Sequence, residues 1–344
     1  MPAEAVRRPA YTSRVTSTSD QLRASLEGLL AGLPPRGAAG AVERLMAGYR
    51  GTTPGPAPEL RDRSDAVAYA AYRMPATFEA VSAALAAFAA RLPDWTPASH
   101  LDLGGGTGAA TWAATRVWPT ERPTLVLDRA GPALDLGREL AGAPAAPAAV
   151  RAAEWRRHAI GAELPTAELV TVSYVLGELP EAQREATVAA VAAAGRAVVL
   201  VEPGTPDGYL RVRAARDQLL AAGLTVLAPC PHGASCPLTV GEDWCHFGTR
   251  VNRSALHRRV KGGELPYEDE KFSYVVAFSD PPAVGGGEPR VIRRPRQRKG
   301  QVLLDLCLPD GTTEARTVTK RHGAGAYRLA RDTAWGDPYA LPGG

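Results

Sequence analysis

A chain of 344 residues has room for one large domain with an appendage, or for two domains. Its 45% hydrophobic and 22% charged residues are those of an ordinary globular protein, and a net charge of +4 excludes a polycation overall. No run approaches the ~20 apolar residues that span a bilayer, and Met1–Ser19 carries Arg7 and Arg8 without an apolar stretch, which argues against a membrane protein or a secretory signal.

In chain order, residues 1–20 show no periodicity. From Asp20 the pattern turns helical, with Leu22, Leu26, Leu29 and Leu30 on one face. Ala41–Tyr49 repeats it, 51–58 is a Pro/Gly loop, and Asp65–Leu92 is a third, Ala-rich helix ended by Pro93 and Pro97. Residues 1–95 therefore read as a helical N-terminal region. Strands and helices then alternate, which predicts a parallel sheet. The predicted strands are His100–Leu103, Thr124–Leu127, Ala148–Arg151, Leu169–Ser173 and Ala197–Val201. The predicted helices are Ala109–Trp118, Pro132–Leu140, Pro180–Ala194 and Tyr209–Ala222. These units over 96–228 make an α/β, doubly wound, Rossmann-like core. Residues 229–289 form a Cys-rich loop and the last core strands, including Phe272–Phe278. Residues 290–344 form a basic region with a hairpin, Val302–Leu308 and Thr313–Thr319 flanking Pro-Asp-Gly at 309–311.

Asp102-Leu-Gly-Gly-Gly-Thr-Gly108 lies between a predicted strand and a predicted helix. Glycines there let the chain turn tightly and let a ligand lie against its backbone. The spacing Gly104-x-Gly106-x-Gly108 is not the nicotinamide fingerprint; it is that of S-adenosylmethionine domains, with Gly105 completing the loop. Asp102 is placed to accept from the methionine ammonium, directly or through water. Asp128, twenty residues after Gly108, is placed to accept from both ribose hydroxyls. Glu154 and Trp155 follow the third predicted strand, on the adenine side, and Tyr174 follows the fourth, where a methyl acceptor approaches; Trp155 and Tyr174 read equally well as packing. The Asn/Asp-Pro-Pro-Tyr/Phe signature of amino-methylating nucleic-acid enzymes is missing from the fourth strand end, and no catalytic residue is identifiable by pattern.

The cysteines are Cys230, Cys236, Cys245 and Cys307. Without an export signal they meet a reducing compartment, where a disulfide framework is not expected. Four thiolates suit either a zinc ion or a [4Fe–4S] cluster. Zinc sites usually use a tight C-x2–4-C knuckle, which is missing, so the wider spacing fits a cluster better. The plain alternative is that the cysteines are small buried hydrophobes. Arg290, Arg293, Arg294, Arg296, Arg298 and Lys299 form a run without an acid, suited to RNA phosphates or else a solvated arm. Arg250, Arg253, Arg258, Arg259 and Lys261 add a second basic stretch.

Taken together, Tyr72-Arg-Met-Pro-Ala-Thr77, the glycine loop, Val201-Glu-Pro-Gly-Thr, Pro229-Cys-Pro-His, Cys236-Pro-Leu, Trp244-Cys-His-Phe and Leu304-Asp-Leu-Cys307 occur in that order. The chain resembles the ribosomal small-subunit-associated methyltransferase-like family, known from mitochondrial assembly factors and their bacterial relatives, over about residues 65–320. The resemblance implies a class I S-adenosylmethionine-dependent methyltransferase fold. It implies a [4Fe–4S] cluster on Cys230, Cys236, Cys245 and Cys307, and binding to small-subunit ribosomal RNA or a pre-ribosomal particle. Both methyl transfer to that RNA and a non-catalytic assembly role are compatible with it. The expected chain is a cytoplasmic monomer.

Overall fold

A computed structural model describes residues 17–30, 60, 62–159, 161–252, 265, 267–281 and 287–340. The predicted helix Ala41–Tyr49 and the basic residues Arg253, Arg258, Arg259 and Lys261 lie outside the described residues.

The chain opens with α1 (Thr18–Leu30) and α2 (Arg63–Arg91). The Asp62 carboxylate caps α2 by accepting from the Asp65 amide at 2.9 Å. Its buried stripe, with Met74, Phe78, Val81, Leu85 and Phe88, lies over the sheet. There follow β1 (His100–Leu103), α3 (Ala109–Val117), β2 (Thr124–Asp128), α4 (Gly131–Ala141), α5 (Ala148–Arg151), β3 (Glu154–Arg157) and β4 (Ala167–Ser173). Then come α6 (Glu181–Ala194), β5 (Gly195–Pro203), α7 (Pro206–Ala221), β6 (Thr225–Ala228), β7 (Phe247–Asn252) and β8 (Tyr267–Phe278).

The main sheet runs β3-β2-β1-β4-β5-β8-β6, with β7 also paired to β8. The first five strands are parallel, and β8 enters antiparallel between β5 and β6. Order reverses between β1 and β4, so a crevice opens at their carboxyl ends. This is the class I S-adenosylmethionine methyltransferase topology, as expected. Both faces are covered, so the central strands are apolar on both sides. On β5, Ala197, Val199 and Val201 face the α2–α3 side, and Val198 and Leu200 face the α6–α7 side.

One predicted strand is corrected. Ala148–Arg151 is a helical turn, and the third strand is Glu154–Arg157. Ala-rich 148–151 favours a helix, while β3 is an edge strand without the apolar run that would mark it.

The C-terminal part builds a second sheet from β9 (Arg290–Val291), β10 (Arg296–Arg298), β11 (Gln301–Cys307) and β12 (Thr313–Thr319), followed by α8 (Ala324–Asp332). β11 and β12 pair antiparallel in the predicted hairpin. Val291, Val302, Leu304, Leu306, Val318, Ala330 and Tyr339 make its own small core.

Candidate functional site

The glycine loop leaves β1 and enters α3. The Gly104 and Gly105 amides donate to the Leu127 carbonyl at 2.7 and 3.2 Å, which ties the loop to β2. The Gly106 amide donates to the Asp128 carboxylate at 2.9 Å, and Ala130 donates to the other oxygen at 2.7 Å. Asp128 is thereby held at the wall of an open cleft of about 500 Å³. That volume lies within the roughly 300–1,000 Å³ of small-molecule sites. Gly104, with φ +66°, packs against Val175, leaving no room for a Cβ. The cleft is lined by Gly104, Gly105, Gly106, Asp128, Tyr174 and Glu178, among others.

Asp102 does not line it. It is completely buried behind the loop, accepting from the Thr111 hydroxyl at 3.1 Å and the Thr171 hydroxyl at 3.0 Å. His100 extends this network, its Nε2 standing 2.8 Å from the Thr171 hydroxyl. The expected direct bond from Asp102 to a methionine ammonium is corrected, which leaves the bond through water: the carboxyl sits behind the loop and ties α3 and β4 to it. Burial raises its pKa to about 6, against the opposing pull of the two threonine bonds. Between the ordinary carboxylate range and about pH 6 the folded chain therefore holds a proton that the unfolded chain lacks. Stability falls as pH rises through that window, and the deficit persists at pH 7. Asp102→Asn is expected to stabilise the ligand-free protein by roughly 1–3 kcal/mol at pH 7 and by nothing below about pH 4. Urea melts across pH test this; an equal change at both ends would contradict it.

Glu154 is corrected, and Trp155 takes the packing role that the sequence equally allowed. Glu154 is exposed and pairs with Arg156 at 3.2 Å. Trp155 is packed against Gly108 and Gly137. Because β3 begins at Glu154 rather than ending before it, its cleft-side end presents Arg157 and His158 instead.

Tyr174 does reach the cleft, in a left-handed conformation with φ +60°. Such a backbone is strained for a tyrosine. Its hydroxyl donates to the Glu270 carboxylate at 2.9 Å, and Arg73 donates to the same oxygen at 3.2 Å. Burial, then the Glu270 charge, pushes the phenol well above its ordinary range, so it stays protonated. Sequence reasoning missed Leu60, Tyr69, Met74 and Thr77, which the N-terminal part brings to the cleft. It also missed the placing of Glu178 by Glu202. One Glu202 oxygen accepts from the Leu176 amide at 2.9 Å, and the other from Arg211 at 2.8 Å, which holds the turn Leu176–Glu178.

The four cysteines line one cavity of about 40 Å³ between α7, the 229–247 loop, β8 and β11. That is space for more than one water-sized group. His232 Nε2 lies 3.4 Å from the Cys307 sulfur, and the Tyr209 hydroxyl 3.4 Å from the Cys236 sulfur. Burial, with the neighbouring sulfurs adding to it, raises the Cys245 thiol well above its ordinary value and the Cys307 thiol to about 12. Among the described residues, no group of three or more His, Cys, Asp or Glu side chains is arranged to hold a metal ion. A single zinc ion needs four donors at about 2.0–2.3 Å. An iron–sulfur cube is itself several atoms across, so its cysteine sulfurs stand further apart than ligands of one ion.

The basic run divides. Arg290 is buried and donates to the Pro229 and Gly336 carbonyls at 3.0 and 2.8 Å, so it is corrected from a phosphate contact to a brace of the cysteine loop. Arg293 is likewise turned inward, donating to the Trp244 carbonyl at 3.1 Å and pairing with Asp243. Arg294, Arg296, Arg298 and Lys299 are exposed. Arg294 and Arg296 lie near Asp269 and Asp305 at 3.3 and 3.4 Å.

Comparison with known proteins places these features. The family described as mitochondrial small ribosomal subunit Rsm22 matches residues 63–340. The human protein named ribosome assembly protein METTL17, mitochondrial, is 31% identical over 284 residues, 78% of this chain and 61% of that protein. The Saccharomyces cerevisiae protein named ribosome assembly protein RSM22, mitochondrial, is 26% identical over 34% of this chain and 29% of its own length. The chain thus spans about three fifths of the human relative. Among solved structures, an O-methyltransferase family protein from Burkholderia thailandensis superposes with a TM-score of 0.42 at 13% identity, over 76% of this chain and 72% of that one. The expected cytoplasmic placement is overturned, because the matched family and both of these relatives are described as mitochondrial. With the match running over residues 63–340, the chain belongs to the Rsm22 family.

Proposed function

We propose that this chain is an S-adenosylmethionine-binding, [4Fe–4S]-carrying, methyltransferase-like factor that binds small-subunit ribosomal RNA during ribosome assembly. The observation that carries the reading is one sheet with two prepared sites. A backbone cradle opens on the 500 Å³ cleft at one part of the sheet, and four cysteines line a single cavity at another. The names of the relatives supply the ribosomal partner. Gly104, Gly105, Gly106 and Gly108 would shape the bed for the ligand, and Asp128 would take the ribose. Arg157 and His158 stand on the adenine side. Cys230, Cys236, Cys245 and Cys307 would hold the cluster, and Arg294, Arg296, Arg298 and Lys299 would meet phosphate. When bound, S-adenosylmethionine supplies an electrophilic methyl group.

Tyr174 supports holding the ligand without turnover, since its hydroxyl is committed to Glu270 at the acceptor side. Glu178 favours a second reading, methyl transfer. The residue is exposed and lines the cleft. Burial, then the Asp128 charge, raises its pKa to about 7, near the optimum for a general base.

One experiment separates the two readings. Small-subunit RNA is incubated with the protein and methyl-labelled cofactor, and binding and incorporation are followed across salt and pH. The first reading expects binding without label. It also expects the salt slope to fall by about 1.4 when Arg298 and Lys299 are both neutralised. Label that rises through about pH 7 and vanishes in Glu178→Gln would establish the second. Binding indifferent to both salt and charge would sink the RNA assignment itself.

A further inference from the structure

The cysteine cavity is ringed by cations. Arg213, Arg216 and Arg290 line it, and Arg293 braces its loop. Arg213 donates to the Leu238 carbonyl at 2.9 Å, and Arg216 donates to the His232 and Ala234 carbonyls at 3.1 and 2.6 Å. Two of these guanidinium groups are deeply buried, with Arg216 3% and Arg290 6% exposed.

Burying a cation costs several kcal/mol unless an anion or a full set of acceptors meets it. Carbonyl dipoles answer part of that cost. The one carboxylate paired with Arg216 is that of Asp217, whose side chain is 56% exposed and so screened by water. Arg216 Nε finds no acceptor. Arg290 pairs with no carboxylate among the described residues. What the two cations share is the wall of four sulfurs. As neutral thiols these would leave the two cations with carbonyl dipoles, a Cys230 sulfur hydrogen-bonded to Arg216 and one screened carboxylate. As ligands they are thiolates.

We propose that Arg216 and Arg290 are the counter-charges of an anionic four-sulfur centre. This rests on the cluster reading above. Four thiolates on a [4Fe–4S] core of charge +2 carry a net charge of −2, and two buried guanidinium groups bring the site to neutrality. The pair therefore selects for an occupied cavity and sets how easily the centre accepts a further electron. It would be a charge requirement rather than a bonding one.

That distinction makes the test. Protein purified anaerobically is assayed for iron and sulfide, and its midpoint potential is measured by dithionite titration under electron paramagnetic resonance. Chelator stripping is timed alongside. Arg290→Gln is compared with Arg290→Lys, and Arg216→Gln with Arg216→Lys. Lysine keeps the charge and loses the paired carbonyl bonds; glutamine loses the charge.

The glutamine variants are expected to lose iron at least tenfold faster. Where the cluster survives, their potential should be lower by about 59 mV, a tenfold change in a one-electron ratio. The lysine variants should stay near wild type on both readouts. Glutamine variants that cannot hold iron while the lysine variants can would support the proposal equally. Iron-loaded glutamine and lysine variants with the same potential and stripping rate would overturn it and leave the cluster reading intact. Wild-type protein without iron and sulfide would overturn the cluster reading, and this proposal with it.

Discussion

Gly108→Ala is expected to cost about 2–5 kcal/mol and to abolish adenosyl-ligand binding. Gly108 is the residue from which α3 springs, and its φ of +86° lies in the left-handed region. An L side chain there costs about 1–2 kcal/mol. A Cβ would also drive into the Trp155 ring, which is already wedged between Gly108 and Gly137. Overpacking of this kind adds about 1–3 kcal/mol. The ring cannot retreat without displacing α4, so the loop moves instead, and Gly106 loses its 2.9 Å bond to Asp128. Urea unfolding and equilibrium dialysis with S-adenosylmethionine check the two effects separately. A variant with wild-type stability and affinity would show that the loop conformation described here is not the one the protein uses.

The second large effect is expected from Cys245→Ser. Serine is close in size and fits the ligand-free fold, where the Cys245 carbonyl accepts from Ser273 at 2.7 Å. Loss of one thiolate should therefore act through the cluster rather than through packing. Iron content should fall by at least half. The 229–247 loop, which has no helix or strand of its own before β7, should become at least about tenfold more sensitive to protease, because metal binding and folding are coupled. Wild-type iron content in this variant would remove Cys245 from the ligand set.

Where the sequence carries a period or a special backbone demand, the fold is legible. Four of the five apolar runs and the glycine loop fall where the strand–helix alternation requires, and Asp128 follows from its distance to that loop. The misplaced third strand shows the limit. Edge strand β3 is Glu-Trp-Arg-Arg, with no alternating pattern, while the neighbouring Ala-Ala-Val looks apolar enough to be buried in a sheet. That one shift moved the cleft-lining residues of this strand from Glu154 and Trp155 to Arg157 and His158.

Long-range packing was less legible still. Nothing local to Tyr69, Met74 or Thr77 says that α2 folds back over the cleft. Nor does a run of arginines reveal which point outward. Arg290 and Arg293 differ from Arg298 in what the cysteine loop, 61 and 49 residues earlier, offers them as acceptors. Asp102 was assigned by its position in the glycine motif, yet Thr111 and Thr171 each donate to one of its oxygens and hold it behind the loop.

Native mass spectrometry of anaerobically purified, full-length protein tests the central claim most directly. The account predicts a mass equal to the polypeptide plus four irons and four sulfides, rising by one S-adenosylmethionine when that ligand is added. A polypeptide that shows neither increment would contradict it.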